Sequence, residues 1–527
     1  MTEKSVGTVR DAVLQLLRDF GIREVFGNPG STELPLFRDF PTDFRYILGL
    51  HEAIVVGMAD GFAQATRNAA FVNLHSAAGV GNAMGNLFTA FRNKTPLVVT
   101  AGQQARPILP FDPFLASVQA TELPKPYVKW SVEPARAQDV PAAIARAYYI
   151  AMMPPRGPVF ISVPVDDWDQ PARALDARTV SQGLRPDPKL LEAIGASLDG
   201  ATRPALVVGS AIDRDGAWHE TVELAERHQA RVFVAPMSGR CSYPEDHRLF
   251  AGFLPAMREK IVELLAGHDL VLVLGAPAFT YHVDGAGPFI PPGAQLCQIN
   301  DDPDSVARAP IGLAAVASLR LAIADLLARP ARPKRATPPA RIPAPRAQAS
   351  RPMSCAFVLQ TLAELRAPED IVVEEAPTAR AVLQAHLPFM RSETFYTMDS
   401  GGLGYGLPAA VGVALAKPDS RVIALIGDGS SLYSIQALWT AVQCKLPMTF
   451  LILNNRRYAA LEEFASVFGF PKDATVQGTQ LPGIDFAALA RSMGCAGVSV
   501  SDPGQLRPVL SDALQAMVPT LVDIEIA

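Results

Sequence analysis

The sequence lacks an apolar run long enough to cross a membrane, and it carries little excess charge of either sign. Its 527 residues include 47 Lys and Arg and 52 Asp and Glu, so the net charge at pH 7 is −5. A membrane-spanning helix needs about 18 or more consecutive apolar residues, and no run here reaches that length. Proteins that bind nucleic acids usually present strong positive charge. We therefore expect neither a membrane nor a nucleic acid among the partners.

Cysteine is scarce as well, and none of it falls in the paired spacing of a metal site. The five cysteines are dispersed along the chain and odd in number, which is typical of reduced, mostly buried thiols in a cytoplasm-like compartment. Residues 1–21 mix charged and apolar side chains as an amphipathic helix does, and they lack the apolar core of a secretory signal. These features predict a cytoplasmic location.

Apolar residues, by contrast, make up 49% of the chain, enough to build several hydrophobic cores. A chain of this length exceeds the size at which single cores stop growing and suggests about three domains. Short apolar runs alternate with helical patterns, which predicts an α/β fold of three doubly wound parallel sheets. We place the domains at 1–185, 186–328 and 353–527, with a linker rich in proline and arginine at 329–352.

Three polar residues of the first domain, Ser31, Glu52 and His75, each follow the end of a different predicted strand. Because the carboxyl ends of parallel strands share one edge of a sheet, these side chains should converge on the usual ligand edge. Local structure would explain each residue alone, as a helix cap, a first-turn carboxylate or a loop histidine. Together they predict a binding site. The loop after His75 is predicted to extend to Gly79, with the next helix beginning near Gly81.

The C-terminal domain contains a second predicted ligand edge in a strand–helix–strand unit. One apolar run ends at Gly427-Asp428-Gly429, and the next ends at Asn454-Asn455. The glycines would let the backbone turn sharply and approach a ligand. Asp428 and Asn455 bring oxygen ligands to the same edge, which suits a magnesium ion that carries a diphosphate. A capping aspartate and a turn asparagine would explain the two residues without any ligand.

Further segments spread over all three predicted domains complete this pattern. They are VFGNPGSTELP (25–35), VGMADGFAQATR (56–67), NLHSAAGVGNAMGNL (73–87), VKWSVEP (128–134), GRCSYP (239–244), LGAPAFTYH (274–282) and GGLGYGLPAA (401–410). With the Gly-Asp-Gly and Asn-Asn signature, they make the whole chain resemble thiamine diphosphate-dependent 2-keto acid decarboxylases, and among these the enzymes that act on benzoylformate. The resemblance implies a pyrimidine-binding domain, a middle domain and a diphosphate-binding domain, in that order.

The resemblance also implies roles for particular residues of this sequence. A magnesium ion, or calcium in its place, would be held by Asp428, Asn455 and the backbone carbonyl of Arg457. The residues that would contact thiamine diphosphate are Glu52, Gly401, Leu403, Asp428, Gly429, Ser430, Asn455 and Tyr458. The catalytic residues would be Glu52, Ser31, His75 and His282. The substrate pocket would be lined by Ser31, His75, His282, Thr397, Ala460, Leu461 and Phe464.

The activity that the resemblance implies is the non-oxidative decarboxylation of benzoylformate or another aryl 2-keto acid, through a thiamine diphosphate ylide and an enamine. Glu52 would contact the pyrimidine ring and support activation of the cofactor. Ser31 would orient the substrate carboxylate, and the two histidines would transfer protons, His75 early and His282 later. The resemblance further implies a homotetramer with active sites between subunits, and a place in aromatic catabolism such as the breakdown of mandelate.

Thr397 departs from the pattern, because the enzymes that act on benzoylformate place an additional aromatic residue near the substrate ring. A pocket with Thr397 in this place would be more open or would favour a different keto acid. Two alternative functions stay open: a carboligase that resembles acetolactate synthase, and a non-catalytic paralogue that only binds the cofactor. Ser31, His75 and His282 suit protonation of the enamine rather than its protection, and so argue against the carboligase. The presence of Glu52 with a complete metal signature argues against the paralogue.

Overall fold

The computed structural model describes residues 6–330, 335–471 and 474–527. Within them the chain forms three six-stranded sheets flanked by helices, which confirms the predicted α/β fold class. Residues 331–334 of the predicted linker and residues 1–5 of the predicted first domain lie outside the described residues. Central strands of each sheet are buried along nearly their whole length, as expected where helices cover both faces of a parallel sheet.

The N-terminal part builds the first sheet. Its strands are β1 (Val6–Thr8), β2 (Glu24–Gly27), β3 (Arg45–Leu48), β4 (Ala70–Leu74), β5 (Leu97–Gln103), β6 (Ser131–Val132), β7 (Val159–Pro164) and β8 (Pro171–Arg173). Its helices are α1 (Val9–Asp19), α2 (Glu52–Thr66), α3 (Ser76–Asn93) and α4 (Val140–Met152), with 3-10 helices at Ser31–Phe37, Arg106–Phe111 and Ala137–Asp139. The sheet order is β3-β2-β4-β5-β7-β6, all parallel, and β1 pairs with β8 antiparallel.

The middle part builds the second sheet. Its strands are β9 (Pro204–Val208), β10 (Arg231–Val234), β11 (Phe250–Phe253), β12 (Leu270–Leu274), β13 (Gln295–Asn300) and β14 (Leu313–Val316). Its helices are α5 (Pro188–Gly200), α6 (Ala211–Arg214), α7 (Trp218–His228), α8 (Arg258–Leu264), α9 (Pro303–Ala307) and α10 (Leu319–Leu327). The sheet order is β11-β10-β9-β12-β13-β14, again parallel.

The C-terminal part builds the third sheet. Its strands are β15 (Ile371–Glu375), β16 (Phe395–Thr397), β17 (Val422–Gly427), β18 (Thr449–Asn454), β19 (Ala496–Val500) and β20 (Thr520–Glu525). Its helices are α11 (Cys355–Leu365), α12 (Arg380–His386), α13 (Gly406–Ala416), α14 (Asp428–Ser431), α15 (Ala437–Gln443), α16 (Ala459–Ala465), α17 (Phe486–Ser492) and α18 (Pro503–Gln515), with 3-10 helices at Pro377–Ala379 and Ser466–Phe468. The sheet order is β16-β15-β17-β18-β20-β19.

The chain divides into two compact units. The first comprises Met1–Ser181, Val372–Thr378 and Ser400–Ala527, and the second comprises Gln182–Ile371 and Ala379–Asp399. The first unit therefore contains the first sheet and strands β17 to β20, and the second contains the middle sheet. The domain boundaries inferred from sequence stay predictions. Among the described residues, no helix combines the length and the apolar character that a membrane crossing requires.

Helix α3 begins earlier than the sequence pattern indicates. It starts at Ser76, directly after His75, rather than near Gly81. Ser76 adopts a φ of 44°, in the left-handed region, which turns the chain at once from β4 into the helix. Ala77 and Ala78, which follow it, are strong helix formers. The loop expected between His75 and Gly79 is therefore a sharp turn of one residue.

Within the first unit, α2 and α13 pack with almost no space between their backbones. A Cβ on Gly61 would lie 2.1 Å from the carbonyl oxygen of Ala409, and a Cβ on Gly412 would lie 1.9 Å from that of Met58. Only glycine permits so close an approach, because it carries no side chain. The contact joins the helix that begins at Glu52 to the helix that follows the glycine segment 401–406.

Replacing Gly61 by alanine should therefore destabilise the protein. The added methyl group would force α2 and α13 apart, at a cost of about 1–3 kcal/mol in the free energy of unfolding, as is usual for overpacking. Gly85→Ala in α3 is the matched control, because nothing lies within 4 Å of a Cβ built there; it should stabilise the helix by up to about 1 kcal/mol. Urea unfolding of the two variants measures this difference, and equal effects would contradict the packing.

Candidate active site

The structure places Ser31, Glu52 and His75 at the carboxyl edge of the first sheet. Ser31 begins the 3-10 helix after β2, Glu52 is the first residue of α2 after β3, and His75 is the N-cap of α3 after β4. The three strands are neighbours in the order β3-β2-β4, and each adjacent pair is parallel. The three side chains thus emerge from adjacent strand ends, where open parallel sheets bind ligands.

Glu52 is held in place by a neighbouring helix. Its side chain is buried, with 8% exposure, and its Oε2 accepts a hydrogen bond of 3.0 Å from Nδ2 of Asn82 in α3. A Cβ on Gly79 would lie 3.3 Å from the Glu52 side chain, so the start of α3 leaves little room beside it. The N-terminus of α2 also favours a carboxylate in its first turn. Glu52 is therefore a buried, oriented acid rather than a solvated surface group.

His75 contacts two side chains of the 3-10 helix that begins at Ser31. Its Nδ1 lies 2.9 Å from Oε2 of Glu33 and 3.2 Å from Oγ1 of Thr32. Glu33 is 1% exposed, whereas the His75 side chain keeps 19% of its surface exposed. Ser31 itself is exposed. One nitrogen of His75 is thus engaged within the protein, and the ring still reaches solvent.

The glycine segment 401–406 is tied to the protein through its backbone. Gly401 and Gly404 adopt φ values of 75° and 96°, a region that favours glycine. The Glu375 carboxylate, at the end of β15, accepts hydrogen bonds from the backbone N–H groups of Gly404 (2.7 Å) and Gly406. Burial raises the pKa of Glu375 to about 7. Asn86 of α3 donates both to the Ala53 carbonyl at 2.7 Å and to the Gly404 carbonyl at 3.2 Å.

A second buried carboxylate, Asp60 in α2, contacts Tyr405 of the same segment. It is fully buried and accepts hydrogen bonds from Asn93 and Thr95, both at 3.2 Å, from Tyr405 at 3.4 Å and from Gln64. Burial raises the pKa of Asp60 to about 6, although these donors act in the opposite direction. Tyr405 thereby joins the glycine segment to α2 through its side chain.

Asp428 and Asn455 lie at the ends of the adjacent parallel strands β17 and β18, as predicted from the sequence. Asp428 is 4% exposed. Its Oδ1 accepts from the backbone N–H of Gly429 at 2.8 Å and its Oδ2 from that of Arg456 at 2.6 Å. Burial raises the pKa of Asp428 above its ordinary value, although hydrogen bonds from backbone N–H groups, that of Gly429 first, act in the opposite direction. A metal cation bound to this carboxylate would favour its charged form.

The loop after β18 presents the other predicted metal ligands. The Asn455 Oδ1 accepts from the Arg457 N–H at 3.2 Å, and Arg457 forms an antiparallel bridge with Gln480. Arg456 adopts a φ of 61°, which is unusual for a residue with a side chain. Its guanidinium lies 3.1 Å from Glu525, at the end of β20. These contacts fix the loop in a turn that exposes Arg457.

The donor set at this edge fits a hard cation bound together with a ligand. Among the described residues no cluster of three or more His, Cys, Asp or Glu has the arrangement of a metal site. Asp428 would therefore provide the one carboxylate, and the amide of Asn455 and a backbone carbonyl would provide neutral oxygens. Magnesium commonly binds through one or two carboxylates and completes its shell with phosphate oxygens and water. The residues present thus fit magnesium with a diphosphate.

Gly429 leaves space for an aromatic ring. The chain changes at once from β17 to α14, but neither Gly427 nor Gly429 is among the residues with positive φ, so this turn does not use the conformational freedom of glycine. Instead, a Cβ on Gly429 would lie 2.2 Å from the Tyr458 ring. The glycine makes room for that ring, which lies against the start of α14; Ser430, the next residue of this helix, is buried.

The remaining predicted site residues lie elsewhere in the chain. Ala460, Leu461 and Phe464 share α16 in the first unit, where the Ala460 N–H donates to Oγ1 of Thr378 at 3.1 Å. His282 and Thr397 belong to the second unit. His282 is exposed, and the buried Thr397 accepts a 2.7 Å hydrogen bond from Arg380. Gly401 is exposed and Leu403 is partly buried, both in the glycine segment.

Sequence analysis missed the side chains that hold the predicted ones in place. These are Glu33, Asp60, Asn82, Asn86 and Glu375. Glu33 alone carries a local signal, because an acidic residue three positions after Gly30 is typical of a helix start whose carboxylate bonds back to the backbone. The others act across long sequence separations that no local pattern reveals.

Comparison with known proteins identifies a family and individual proteins that this chain resembles in sequence and in structure. The chain matches the thiamine pyrophosphate enzyme family in its N-terminal TPP binding domain (residues 7–121), its central domain (191–326) and its C-terminal TPP binding domain (378–524). It is 46% identical to the benzoylformate decarboxylase of Pseudomonas aeruginosa, over 98% of each chain. The crystal structure of benzoylformate decarboxylase from Polynucleobacter necessarius superposes with a TM-score of 0.96 at 40% identity, over 99% of both chains. The thiamine diphosphate-dependent 4-hydroxybenzoylformate decarboxylase of Rhodococcus jostii gives 0.95 at 40%, also over 99% of both.

The raised pKa of Asp60 predicts a specific pH dependence of stability. The folded protein binds the Asp60 proton more tightly than the unfolded chain does, since the pKa rises from 3.8 to about 6. The contribution of Asp60 to the free energy of unfolding should therefore fall as pH rises from about 4 to about 6, by at most about 1.4 kcal/mol per pH unit, and stay constant above that range.

Urea unfolding of the wild type and of Asp60→Asn at several pH values measures this effect. The free energy of unfolding of the variant should lack the decline caused by Asp60. The difference in free energy of unfolding between wild type and variant should therefore change between about pH 4 and 6. The exposed Asp419→Asn is the control and should follow the wild type. Parallel curves for wild type and Asp60→Asn would contradict the raised pKa.

Proposed function

We propose that this chain, which belongs to the thiamine pyrophosphate enzyme family, decarboxylates an aryl 2-keto acid without oxidation. Benzoylformate is the proposed substrate, and benzaldehyde and carbon dioxide are the products. The observation that carries the proposal is the likeness, over almost the full length of both chains, to proteins named for decarboxylation of benzoylformate and its 4-hydroxy derivative. The oriented Glu52 and His75 on the first sheet support it.

The cofactor is thiamine diphosphate, which the family's N-terminal and C-terminal domains bind. We propose that Asp428, Asn455 and the carbonyl of Arg457 hold magnesium, or calcium in its place. The buried, hydrogen-bonded Asp428 carboxylate and the fixed turn of the 455–457 loop support this assignment. The residues proposed to contact the cofactor are Glu52, Gly401, Leu403, Asp428, Gly429, Ser430, Asn455 and Tyr458.

When bound, thiamine diphosphate supplies the electron sink that loss of carbon dioxide from a 2-keto acid requires. The chain's own residues bind, orient and exchange protons around it. Glu52, which is held by Asn82, would contact the pyrimidine ring of the cofactor with its carboxylate. Ser31 orients the substrate carboxylate. His75, with both ring nitrogens protonated, gives the Nε2 proton to the keto oxygen and keeps the proton on Nδ1. His282 is proposed to move a proton in a later step.

We propose that the substrate ring lies among Thr397, Ala460, Leu461 and Phe464. Thr397 is hydrogen-bonded to Arg380 within its own unit, so the position normally given to an aromatic residue carries a polar pair. An aryl ring with a polar substituent is therefore a reasonable second substrate to test. A homotetramer with each cofactor between subunits, a cytoplasmic location and a role in mandelate catabolism stay predictions.

A panel of keto acids tests the proposal directly. The purified protein, with thiamine diphosphate and magnesium, is assayed with benzoylformate, 4-hydroxybenzoylformate, pyruvate and branched-chain keto acids. We expect the highest kcat/KM with an aryl keto acid, release of the aryl aldehyde, and loss of activity when a chelator removes the metal. Acetolactate formed from pyruvate would instead favour the carboligase, and cofactor binding without turnover would favour the non-catalytic paralogue.

The Glu52→Gln variant tests the role proposed for Glu52 in the same assay. The variant keeps the size of the side chain and a hydrogen-bonding group, so it should still bind thiamine diphosphate in a calorimetric titration. Its turnover should fall by about 10²-fold or more, the range for loss of a group that supports proton transfer. Near wild-type turnover in Glu52→Gln would rule out the role proposed for Glu52.

A further inference from the structure

Glu33 is a buried acid that lies directly against His75. Its carboxylate is 1% exposed, and its Oε2 is 2.9 Å from Nδ1 of the His75 ring. A carboxylate in this position usually fixes both the orientation and the protonated nitrogen of the imidazole. Within the described part of the chain, the hydrogen-bond contacts of the ring with side chains, those to Glu33 and Thr32, are both made by Nδ1.

The Glu33 carboxylate is itself held from three further directions. Oε2 accepts from the Gly30 N–H at 2.8 Å, and Oε1 accepts from the Gly102 N–H at 3.0 Å and from the Thr32 hydroxyl at 2.6 Å. Glycine is required on both sides, because a Cβ on Gly30 would lie 2.1 Å from His75 Nδ1 and one on Gly102 would lie 2.1 Å from Glu33 Oε1. The carboxylate therefore has a single orientation.

The hydrogen-bond pattern decides where the proton of His75 lies. With the Thr32 hydrogen directed to Glu33 and the N–H groups of Gly30 and Gly102 also donating, the carboxylate can only accept. The oxygens that surround His75 Nδ1, those of Glu33 and Thr32, are then both acceptors, so Nδ1 must donate. Nε2 of the neutral ring is left with a lone pair. The neighbouring Tyr46 adds no competing charge, because burial and then the Glu33 charge raise the pKa of its hydroxyl.

We propose that Glu33 is a positioning residue that holds His75 in the form protonated at Nδ1, so that Nε2 exchanges protons with the substrate. The inference rests on the proposed function, because it assigns His75 a role in proton transfer. It adds a residue that acts only through His75 and never touches the substrate. Orienting partners of metal-bound histidines are worth about 10- to 100-fold in activity, and we expect a loss of that size for Glu33.

Nitrogen NMR of the histidine-labelled protein tests the assignment without any turnover. Both the cofactor-free protein and the protein with thiamine diphosphate and magnesium are recorded at a pH where the ring is neutral, and the His75 signals are identified by their loss in His75→Ala. We expect the hydrogen on Nδ1 and an unprotonated Nε2. A hydrogen on Nε2 instead would overturn the proposal, whether or not the protein decarboxylates any keto acid.

Kinetics of Glu33→Gln separate positioning from a merely structural role. The variant should lose about 10- to 100-fold in kcat while its affinity for thiamine diphosphate stays near that of the wild type. Because Glu33 acts through His75, adding Glu33→Gln to His75→Ala should cause little further loss. Glu24→Gln, at the opposite end of β2, is the matched control and should behave as the wild type.

An additive loss in the double variant would contradict the proposal, because it would show that Glu33 acts independently of His75. Full activity of His75→Ala alone would remove the role of His75 in the proposed function, while the NMR result on the proton position would stand. If Glu33→Gln does not fold, the wild-type NMR measurement still decides between the two ring forms.

Discussion

The candidate site depends on one recurring interaction, the binding of backbone N–H groups by carboxylates buried at strand ends. Glu33 binds the N–H groups of Gly30 and Gly102, Glu375 binds those of the glycine segment 401–406, and Asp428 binds those of Gly429 and Arg456. Charged acceptors make stronger hydrogen bonds than neutral ones. Loss of such a bond costs more free energy in a buried position, because the polar groups are left without water. Loops that would otherwise be mobile are thereby fixed at the edges of the sheets.

Each of these carboxylates fixes a different part of the chemistry. Glu33 orients His75, Glu375 shapes the glycine segment, and Asp428 anchors the loop that carries Asn455. A site whose groups are already in place does not have to order them when ligands arrive, which favours both binding and catalysis. The close packing of α2 on α13 adds to this order, because it brings the helix of Glu52 against the helix that follows the glycine segment.

Local sequence patterns predicted the fold class and the positions of the polar residues at strand ends. Ser31, Glu52 and His75 were found because each follows a short apolar run, and Asp428 and Asn455 because glycine and asparagine end two strands. The partners of these residues could not be found in the same way. Asn82 and Glu375 reach their targets across 30 and 29 residues of sequence, and only the folded chain brings them together. The same holds for the early start of α3, which follows from the backbone of a single residue, Ser76.

A crystal structure of the protein grown with thiamine diphosphate and magnesium is the most direct test of this account. It should show the metal bound by Asp428 and Asn455 and bridged to the diphosphate, with a Glu52 carboxylate at hydrogen-bonding distance from the pyrimidine ring. A cofactor bound away from Asp428, or a pyrimidine ring with no Glu52 beside it from any subunit, would contradict the assignment of this edge of the sheets as the active site.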